Sequence, residues 1–527
     1  MIIINSAAYI NSDLVSEFGK LPPCMLPVQN KRLYEHQINL IKSNKELNDR
    51  IYLTLPKSFK AKISKFDIFK LKSLNINIIY IQDDLSLGQA IAYTLNYIGK
   101  YNEKILMLHG DTLFEQNLSY GVNSYSYENT INDNYHWDHT KNKEYFTGYF
   151  SINNQTKFLK VLTLKNYNFI YAIKTYMQQN SGVGVLLNGW KDFGHINTYY
   201  RSVSKMTTER SFNSLSVLGI NGPNIICKRS KDKNKMEAEK NWFENMPSML
   251  QIYTPKIFNI QNKQQDEKYG EYYMEYFYSS SLANLFVFDK NTMFVWKDII
   301  SSCIEFINEE YNLSKNMNID VNKLVKQTDK MYYQKTLERL KNTNIDLNTR
   351  WKINNIETPS INEILIELDK NIKKNCIEFC SIIHGDLCFS NILYDFKSKS
   401  IKVIDPRGKD SEGNLSIFGD IRYDVAKLSH SIIGMYDYII ANRYYYKENS
   451  TNDIVLTFEY NKEINKLQNW FKNQLFAKFS FKELDIYIIM IHLFLSMIPL
   501  HSDRPDRQKA FLANALRLYI SYKQNNV

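Results

Sequence analysis

The sequence predicts an α/β protein of two domains, a doubly wound, mostly parallel sheet followed by an α+β domain. Three observations predict it. Short β-rich runs alternate with helical ones from Met1 to about Tyr200. Strand-like and long amphipathic segments follow in a different order. The length, 527 residues, suggests more than one core.

Ile2–Ile4, Ile51–Leu55, Ile76–Ile81 and Ile105–Leu108 are short runs rich in β-branched residues and read as strands. Leu33–Ser43 is an amphipathic helix, and Leu87–Ile98 is a helix opening at Gly88. In such sheets ligands bind at the carboxyl ends of strands, and Asp111 stands at one, in His109-Gly110-Asp111. The polar run from Arg201 to Leu215 lacks Gly and Pro, so it is expected to couple the domains rather than tether them loosely. The boundary is set near Ser204, giving domains 1–203 and 204–527. Beyond it, Leu215–Leu218, Asn224–Cys227 and Tyr273–Phe277 read as strands. Lys235–Asn245, Trp296–Asn312, Val321–Lys341 and Ile361–Asn375 read as helices.

Bulk properties narrow the function. Apolar residues make up 44% and charged residues 23%, which marks a globular chain. The net charge of +11 is spread out; it suits anionic nucleotides and does not argue for nucleic-acid binding. None of the six cysteines forms paired C-x-x-C motifs, so a zinc site is not expected, and Cys376 and Cys380 read as buried thiols at helical spacing. The opening MIIINSAAYI lacks a basic n-region and reads as a strand, not a signal peptide. Together these favour the cytoplasm. Leu484–Leu500 is strongly apolar, but it contains Asp485, His492 and Pro499 and reads as a core helix, not a membrane span.

The chemistry concentrates in Ser381–Gly408. Two apolar runs there each end in an Asp: His384-Gly385-Asp386, with Asn391 following, and Ile401–Ile404 before Asp405-Pro406-Arg407. Phosphoryl transfer from a nucleotide needs one carboxylate to orient the attacking hydroxyl, and an amide and a second carboxylate to hold Mg²⁺. The spacing matches the kinase catalytic loop H-x-D-x-x-x-x-N with a metal-binding Asp on the next hairpin. Gly385 replaces the usual protein-kinase Arg, and neither D-F-G nor A-P-E is present. The stretch resembles the aminoglycoside phosphotransferase and choline kinase family, whose members phosphorylate small molecules. The bland alternative is two buried strands with incidental acidic ends.

That resemblance implies a bilobal, protein-kinase-like second domain. Asp386 would be catalytic, and Asn391 and Asp405 would hold Mg²⁺. Lys228 would reach the ATP phosphates, oriented by Glu239, unless it is merely part of the solvated run KRSKDKNK. The turn holding Ser211 and Asn213 would cover the phosphates, and Glu275 and Tyr276 would lie at the adenine-reading hinge. Asp420, Asp424 and Lys427, in Asp420-Ile421-Arg422-Tyr423-Asp424-Val425-Ala426-Lys427, resemble the family's D-x-x-Y-D-x-A-K and would be supporting residues. In that family the first Asp usually steadies the catalytic loop.

A second resemblance covers the first domain. Ser6-Ala7-Ala8, Met25-Leu26-Pro27-Val28, Leu87-Gly88-Gln89-Ala90, His109-Gly110-Asp111 and Trp190-Lys191-Asp192-Phe193-Gly194 are similar to motifs of sugar-phosphate nucleotidyltransferases. This implies Ala7, Ala8 and Gly88 at the nucleotide and a metal between Asp111 and Asp192. The family's G-x-G-x-R and Pro-Lys are absent, and Lys20 or Lys31 would supply the positive charge. The reading is a bifunctional enzyme using Mg²⁺, ATP and a second NTP. It would phosphorylate a sugar, polyol or amino alcohol and couple a nucleotide to the product, for surface polysaccharides such as capsule. The alternative is a small-molecule kinase with a non-catalytic nucleotide- or sugar-nucleotide-binding first domain.

Overall fold

A computed structural model describes residues 1–44, 47, 49–118, 121–129, 135, 137–140, 142–206, 214–218, 225–260, 268–374, 376–459 and 462–526. The chain divides into two units, Met1–Met206 with Phe288–Lys290, and Thr207–Val287 with Asn291–Val527.

In the first unit, seven strands run in the order Val183–Val185, Ser124–Glu128, Tyr145–Ile152, Ile105–His109, Ile2–Asn5, Ile51–Pro56 and Ile76–Ile81. The four runs expected as strands form one parallel block, and Val183–Val185 pairs in parallel with Ser124–Glu128 at the other edge. Ile2 pairs with both Ile51 and Leu106, and Ile51 pairs with Ile76. Tyr145–Ile152 adds an antiparallel strand against Ile105–His109. The central strand Ile2–Ile4 is fully buried, as a parallel sheet covered on both faces requires. Ile3, Met107 and Ile79 pack with Ile91 and Leu95 of the helix Leu87–Ile98 and with Phe158, Ile173 and Tyr176 of the helices Gln155–Leu164 and Phe169–Gln179. Leu87–Ile98 is fixed at its start by a capping box between Ser86 and Gln89.

The second unit opens with an antiparallel sheet in the order Ser214–Leu218, Ile225–Ser230, Gly270–Glu275 and Ile257–Phe258, with the helix Lys233–Asn245 against it. A helical body follows. Its core includes Met293–Ser314, Ile421–Ile432, Ile486–Met497 and Pro505–Asn526, and a hairpin of Ile392–Asp395 and Ser400–Val403 crosses it. Small sheet lobe and helical body together make the expected bilobal arrangement.

Several boundaries differ from the sequence reading. The strand expected to end at Cys227 runs to Ser230, because Lys228, Arg229 and Ser230 continue the ladder with Tyr272, Glu271 and Gly270. The single helix expected over 321–341 is two, Val321–Met331 and Tyr333–Leu340, broken at Tyr332 where φ is −95° and ψ −77°. The helix from Ile361 ends at Asn371. Cys376 and Cys380 flank a short 3₁₀ turn and are half-buried, not core thiols on a helix. A four-stranded sheet of Ile356–Ser360, Arg350–Ile353, Asp453–Phe458 and Tyr444–Ser450 was not anticipated. Ile486–Met497 is a core helix buried nearly all round, and no helix among the described residues is long and apolar enough to cross a membrane.

Candidate active sites

In the second unit the ladder turns Lys228 inward, where it is 2% exposed. Its ammonium pairs with Glu239 of the helix Lys233–Asn245 and, at 2.7 Å, with Asp405 Oδ1. The Tyr272 hydroxyl donates to Glu239 at 2.9 Å. Burial would lower the Lys228 ammonium, but Asp405 and Glu239 outweigh it and raise it, so Lys228 is held charged. Burial raises the Glu239 carboxyl against the pull of Lys228. Lys228 is therefore a buried, paired cation and not part of a solvated run.

Asp405 sits just past the strand Ser400–Val403 with φ +59°. Gly408 brings the following segment against the helix that carries Glu239. Its φ is +62°, and a Cβ there would lie 1.9 Å from the Ala238 carbonyl oxygen. Only glycine permits both the left-handed backbone and that approach.

Asp386 lies on the loop before the hairpin. One oxygen, Oδ1, pairs with Lys427 at 2.7 Å; the other, Oδ2, accepts from Asn391 Nδ2 at 3.1 Å. Desolvation would raise the Asp386 carboxyl, but Lys427, through charge and hydrogen bond, and then His384 and Arg407 hold it at about 2. It is an ionised acceptor suited to orienting a hydroxyl. The hairpin ladder pairs Ile392 with Val403, and Ile404 N–H donates to the Asn391 carbonyl at 2.9 Å, which brings Asn391 beside Asp405.

The loop backbone is fixed from below. Asp424 accepts the N–H of His384 at 2.6 Å and that of Gly385 at 2.8 Å. His384 Nε2 meets the Ile404 carbonyl at 2.9 Å, and the Trp242 indole donates to the Ile383 carbonyl at 2.8 Å. Asp420, the first Asp of the motif, does not steady this loop: it chelates Arg422 and accepts from the Tyr332 hydroxyl. At Gly385, with φ +76°, a Cβ would come within 2.7 Å of Arg407 Cβ, which explains glycine in place of arginine there.

Asn391 and Asp405 fit Mg²⁺. With Nδ2 turned to Asp386, the Asn391 oxygen accepts from the Ser390 hydroxyl at 3.2 Å and keeps a second lone pair for a metal, and Mg²⁺ prefers a few protein oxygens completed by phosphate and water. Among the described residues no group of three His, Cys, Asp or Glu side chains is placed to hold a metal, so each candidate metal site is a sparse one of this kind.

In the first unit, the short pair of Thr112–Leu113 with Lys191–Asp192 draws Asp111 and Asp192 together. A Cβ on Gly194 would stand 3.0 Å from Asp111 Oδ2 and 3.3 Å from Asp192 Oδ1, so both carboxylates converge on one point. Thr198 donates to Asp192, and Phe193 N–H donates to the Asp111 carbonyl at 2.8 Å. Burial, then the charge of Asp192, raises the Asp111 carboxyl to about 6, and His195 works the other way. Two facing carboxylates fit a divalent cation.

The remaining expected residues are spread out. Ala7 packs at the edge of the core and Ala8 is exposed. Gly88 is buried, and its missing Cβ makes room for the Tyr167 carbonyl oxygen, 1.9 Å from where that atom would be. Lys20 is exposed, its ammonium 4.3 Å from the Tyr9 ring centroid. A helix, Ser12–Phe18, occupies the segment where a glycine-rich loop would run. Glu275 N–H is taken by the Lys256 carbonyl at 2.9 Å, and Tyr276 stacks edge-on with Tyr278. Ser211 and Asn213 lie outside the described residues. Sequence reasoning missed Tyr272 and gave Ser6, although part of a quoted motif, no role of its own. Ser6 N–H donates to Thr54 Oγ1 at 2.9 Å, and its hydroxyl accepts from Cys24 N–H at 3.0 Å. No motif marks Tyr272, since it acts through strand register.

No family model and no curated protein matches the chain. Solved structures of two kinds resemble it. A nucleoside-diphosphate-sugar pyrophosphorylase from Vibrio cholerae is 14% identical, over 39% of this chain and 100% of its own, at a TM-score of 0.32. A CTP:phosphocholine cytidylyltransferase from Streptococcus pneumoniae is 13% identical, over 38% and 96%, at 0.29. A thermostable mutant of aminoglycoside phosphotransferase APH(4)-Ia is 11% identical, over 60% and 92%, at 0.35. At these scores the chemistry of the chain rests on its own geometry.

Proposed function

We propose that the chain is a two-step activating enzyme with a division between the units near Ser204. The second unit phosphorylates a small hydroxyl compound with ATP and Mg²⁺. The first unit transfers a nucleotidyl group from a second NTP to the resulting phosphate and releases pyrophosphate. The observation that carries the kinase reading is the pairing of Lys228 with both Glu239 and Asp405, beside a hairpin that sets Asn391 next to Asp405 and against Asp386. In this reading Lys228 binds the ATP phosphates, Glu239 and Tyr272 hold it in place, and Asp386 orients the acceptor hydroxyl. Asn391 and Asp405 hold Mg²⁺, which supplies charge neutralisation on the phosphates.

The nucleotidyl-transfer reading is supported by the convergence of Asp111 and Asp192 on Gly194. The product would be a nucleotide-activated building block, of the sort consumed in making surface polysaccharides such as capsule. One observation favours a second reading, a kinase whose first unit binds a nucleotide or sugar nucleotide without chemistry: the helix Ser12–Phe18 stands in place of a glycine-rich phosphate loop. One experiment separates them. The full-length protein is given ATP, Mg²⁺ and a panel of sugars, polyols and amino alcohols, products are read by mass spectrometry, and the phosphorylated product is then offered with each NTP. Release of pyrophosphate is expected; its absence with all four NTPs selects the second reading.

A further inference from the structure

The kinase reading leaves a group of cations beside Asp386 without a use. Lys335 and Arg339 stand one turn apart on the helix Tyr333–Leu340, Arg407 follows Asp405, and Lys427 lies on the helix Ile421–Ile432. Arg407 and Lys427 flank Tyr423. Arg407 donates to its hydroxyl at 3.0 Å and lies 4.7 Å from its ring centroid, and the Lys427 ammonium is 5.9 Å from the same ring. Lys335 and Arg339 lie within electrostatic reach of both Tyr423 and Arg407.

Few anions balance them: Asp386 and Asp424 are the carboxylates whose charge reaches Arg407. Among the described residues Lys427 is the one member in an ion pair, with Asp386. Arg339 donates to the Ser496 carbonyl at 3.2 Å, and Arg407, besides Tyr423, meets Met331 Sδ at 3.6 Å. Among the described residues Lys335 makes no hydrogen bond or ion pair. Tyr423 would raise the Lys335 ammonium, but burial and the charges of Arg407, Arg339 and Lys427 bring it down to about 8, the mark of like charges held together. The Tyr423 hydroxyl, which burial would raise, is drawn down to about 8 by Arg407, Lys427 and Lys335.

The cluster does not belong to the nucleotide side. Asp386 gives Oδ2 to Asn391, the neighbour of Asp405, and Oδ1 to Lys427. Lys228 and the Mg²⁺ pair already serve the ATP phosphates from the first of these directions; Lys427 stands at the other, from which the acceptor hydroxyl would come, and Tyr423 links Lys427 to Arg407.

We propose that this cluster binds the acceptor, and that the acceptor is a hydroxyl compound bearing an oxyanion, a carboxylate or a phosphate ester. The inference rests on the kinase reading and narrows its substrate. The acceptor oxyanion sits among Lys335, Arg339 and Arg407, and its hydroxyl meets Asp386. The hydroxyl oxygen forms a bond to the γ-phosphorus of ATP, the bond from that phosphorus to the β–γ bridging oxygen breaks, ADP leaves, and the hydroxyl proton passes to water. Quaternary ammonium and polyamine acceptors are repelled by the same charges.

The test uses the full-length protein with ATP and Mg²⁺, and reads ADP release with matched probes: glycerol, glycerate and glycerol 3-phosphate; ribitol and ribitol 5-phosphate; choline; kanamycin. An oxyanion-bearing probe is expected to exceed its neutral parent in kcat/KM by roughly 10-fold or more. Comparison of glycerate with glycerol 3-phosphate tells carboxylate from phosphate. Lys335→Gln and Arg339→Gln are expected to raise acceptor KM by about 10-fold while moving the KM for ATP by less than about twofold. Lys335→Arg should restore acceptor KM, which a merely structural lysine would not require. Equal or better turnover of neutral or cationic probes overturns the inference and leaves the kinase reading standing, as does a KM change confined to ATP. No transfer to any probe overturns both.

Discussion

The Asp424 carboxylate takes the peptide N–H of His384 at 2.6 Å with one oxygen and that of Gly385 at 2.8 Å with the other. The backbone that presents Asp386 is thus fixed by a side chain from another helix. In Asp424→Asn the amide has one acceptor oxygen for two buried donors, and an orphaned N–H costs about 1–3 kcal/mol. The variant should lose thermal stability and turnover together.

The same group predicts a pH dependence. Burial raises the Asp424 carboxyl from 3.8 to about 7. The native state therefore binds this proton more readily than the unfolded chain, and stability contributed by the group falls as pH rises between those two values. Thermal midpoints followed from about pH 5 to about pH 8 should decline in the wild type and decline less in Asp424→Asn. Parallel curves would mean that Asp424 does not titrate in that window.

Asp386→Asn keeps the side-chain shape and the contact with Asn391 but removes the charge that faces Lys427. Turnover should fall by roughly 10²-fold, the scale expected for a positioned base, with ATP affinity by calorimetry nearly unchanged. Near-wild-type turnover would take Asp386 out of this role.

Much of this site was legible in the sequence because it is local. Asp386, Asn391 and Asp405 fall within one loop and one hairpin, where spacing fixes neighbourhood. Lys228 was named through the resemblance alone, beside a solvated-run alternative; what places it inward is the ladder with Gly270–Glu275, which outlasts the apolar run. What stayed hidden is what long-range packing decides. Nothing local tells Asp420 from Asp424: the loop-steadying role expected of Asp420 falls to Asp424, because Arg422, two residues on, folds back onto Asp420. The break at Tyr332 is likewise invisible in a pattern whose periodicity runs through it. In the first unit the strands were readable from β-branched runs, but the approach of Asp192 to Asp111 depends on two-residue strands too short to leave a pattern.

Gly408 tests the link between the metal side and Lys228. Alanine there needs a left-handed backbone, costing about 1–2 kcal/mol, and drives its Cβ into the Ala238 carbonyl of the helix that carries Glu239. Gly408→Ala should lower the thermal midpoint and raise the KM for ATP. Gly413 is the control, since its φ is +91° but nothing lies within 4 Å of an added Cβ. Gly413→Ala should show backbone strain alone, with the KM for ATP unchanged.

Asp405→Ala removes one of two carboxylates that hold the Lys228 ammonium and one of two Mg²⁺ candidates. Phosphoryl transfer should be abolished, and calorimetry should show a larger loss of affinity for Mg·ATP than for free ATP. Equal affinities for Mg·ATP in variant and wild type would count against Asp405 as a metal ligand.

Independence of the two chemistries gives the last prediction. Asp111 and Asp192 converge on Gly194 within the first unit, whereas Lys228, Glu239, Asp386, Asn391 and Asp405 all belong to the second. If the first pair holds the metal for nucleotidyl transfer, its carboxylates stabilise charge that develops only in that reaction. Burial and the charge of Asp192 already raise the Asp111 carboxyl, so an amide at 111 relieves a repulsion, whereas an amide at 192 leaves one acceptor oxygen for the Gly194 N–H and the Thr198 hydroxyl. The double variant Asp111→Asn, Asp192→Asn should lose no more thermal stability than one orphaned donor costs, about 1–3 kcal/mol, consume ATP and accumulate the phosphomonoester, yet form no nucleotide conjugate. Asp386→Asn should do the reverse, making the conjugate when given the phosphomonoester. Conjugate formation by the double variant at the wild-type rate would remove both carboxylates from the chemistry, and loss of ATP consumption in it would show that the two activities are coupled.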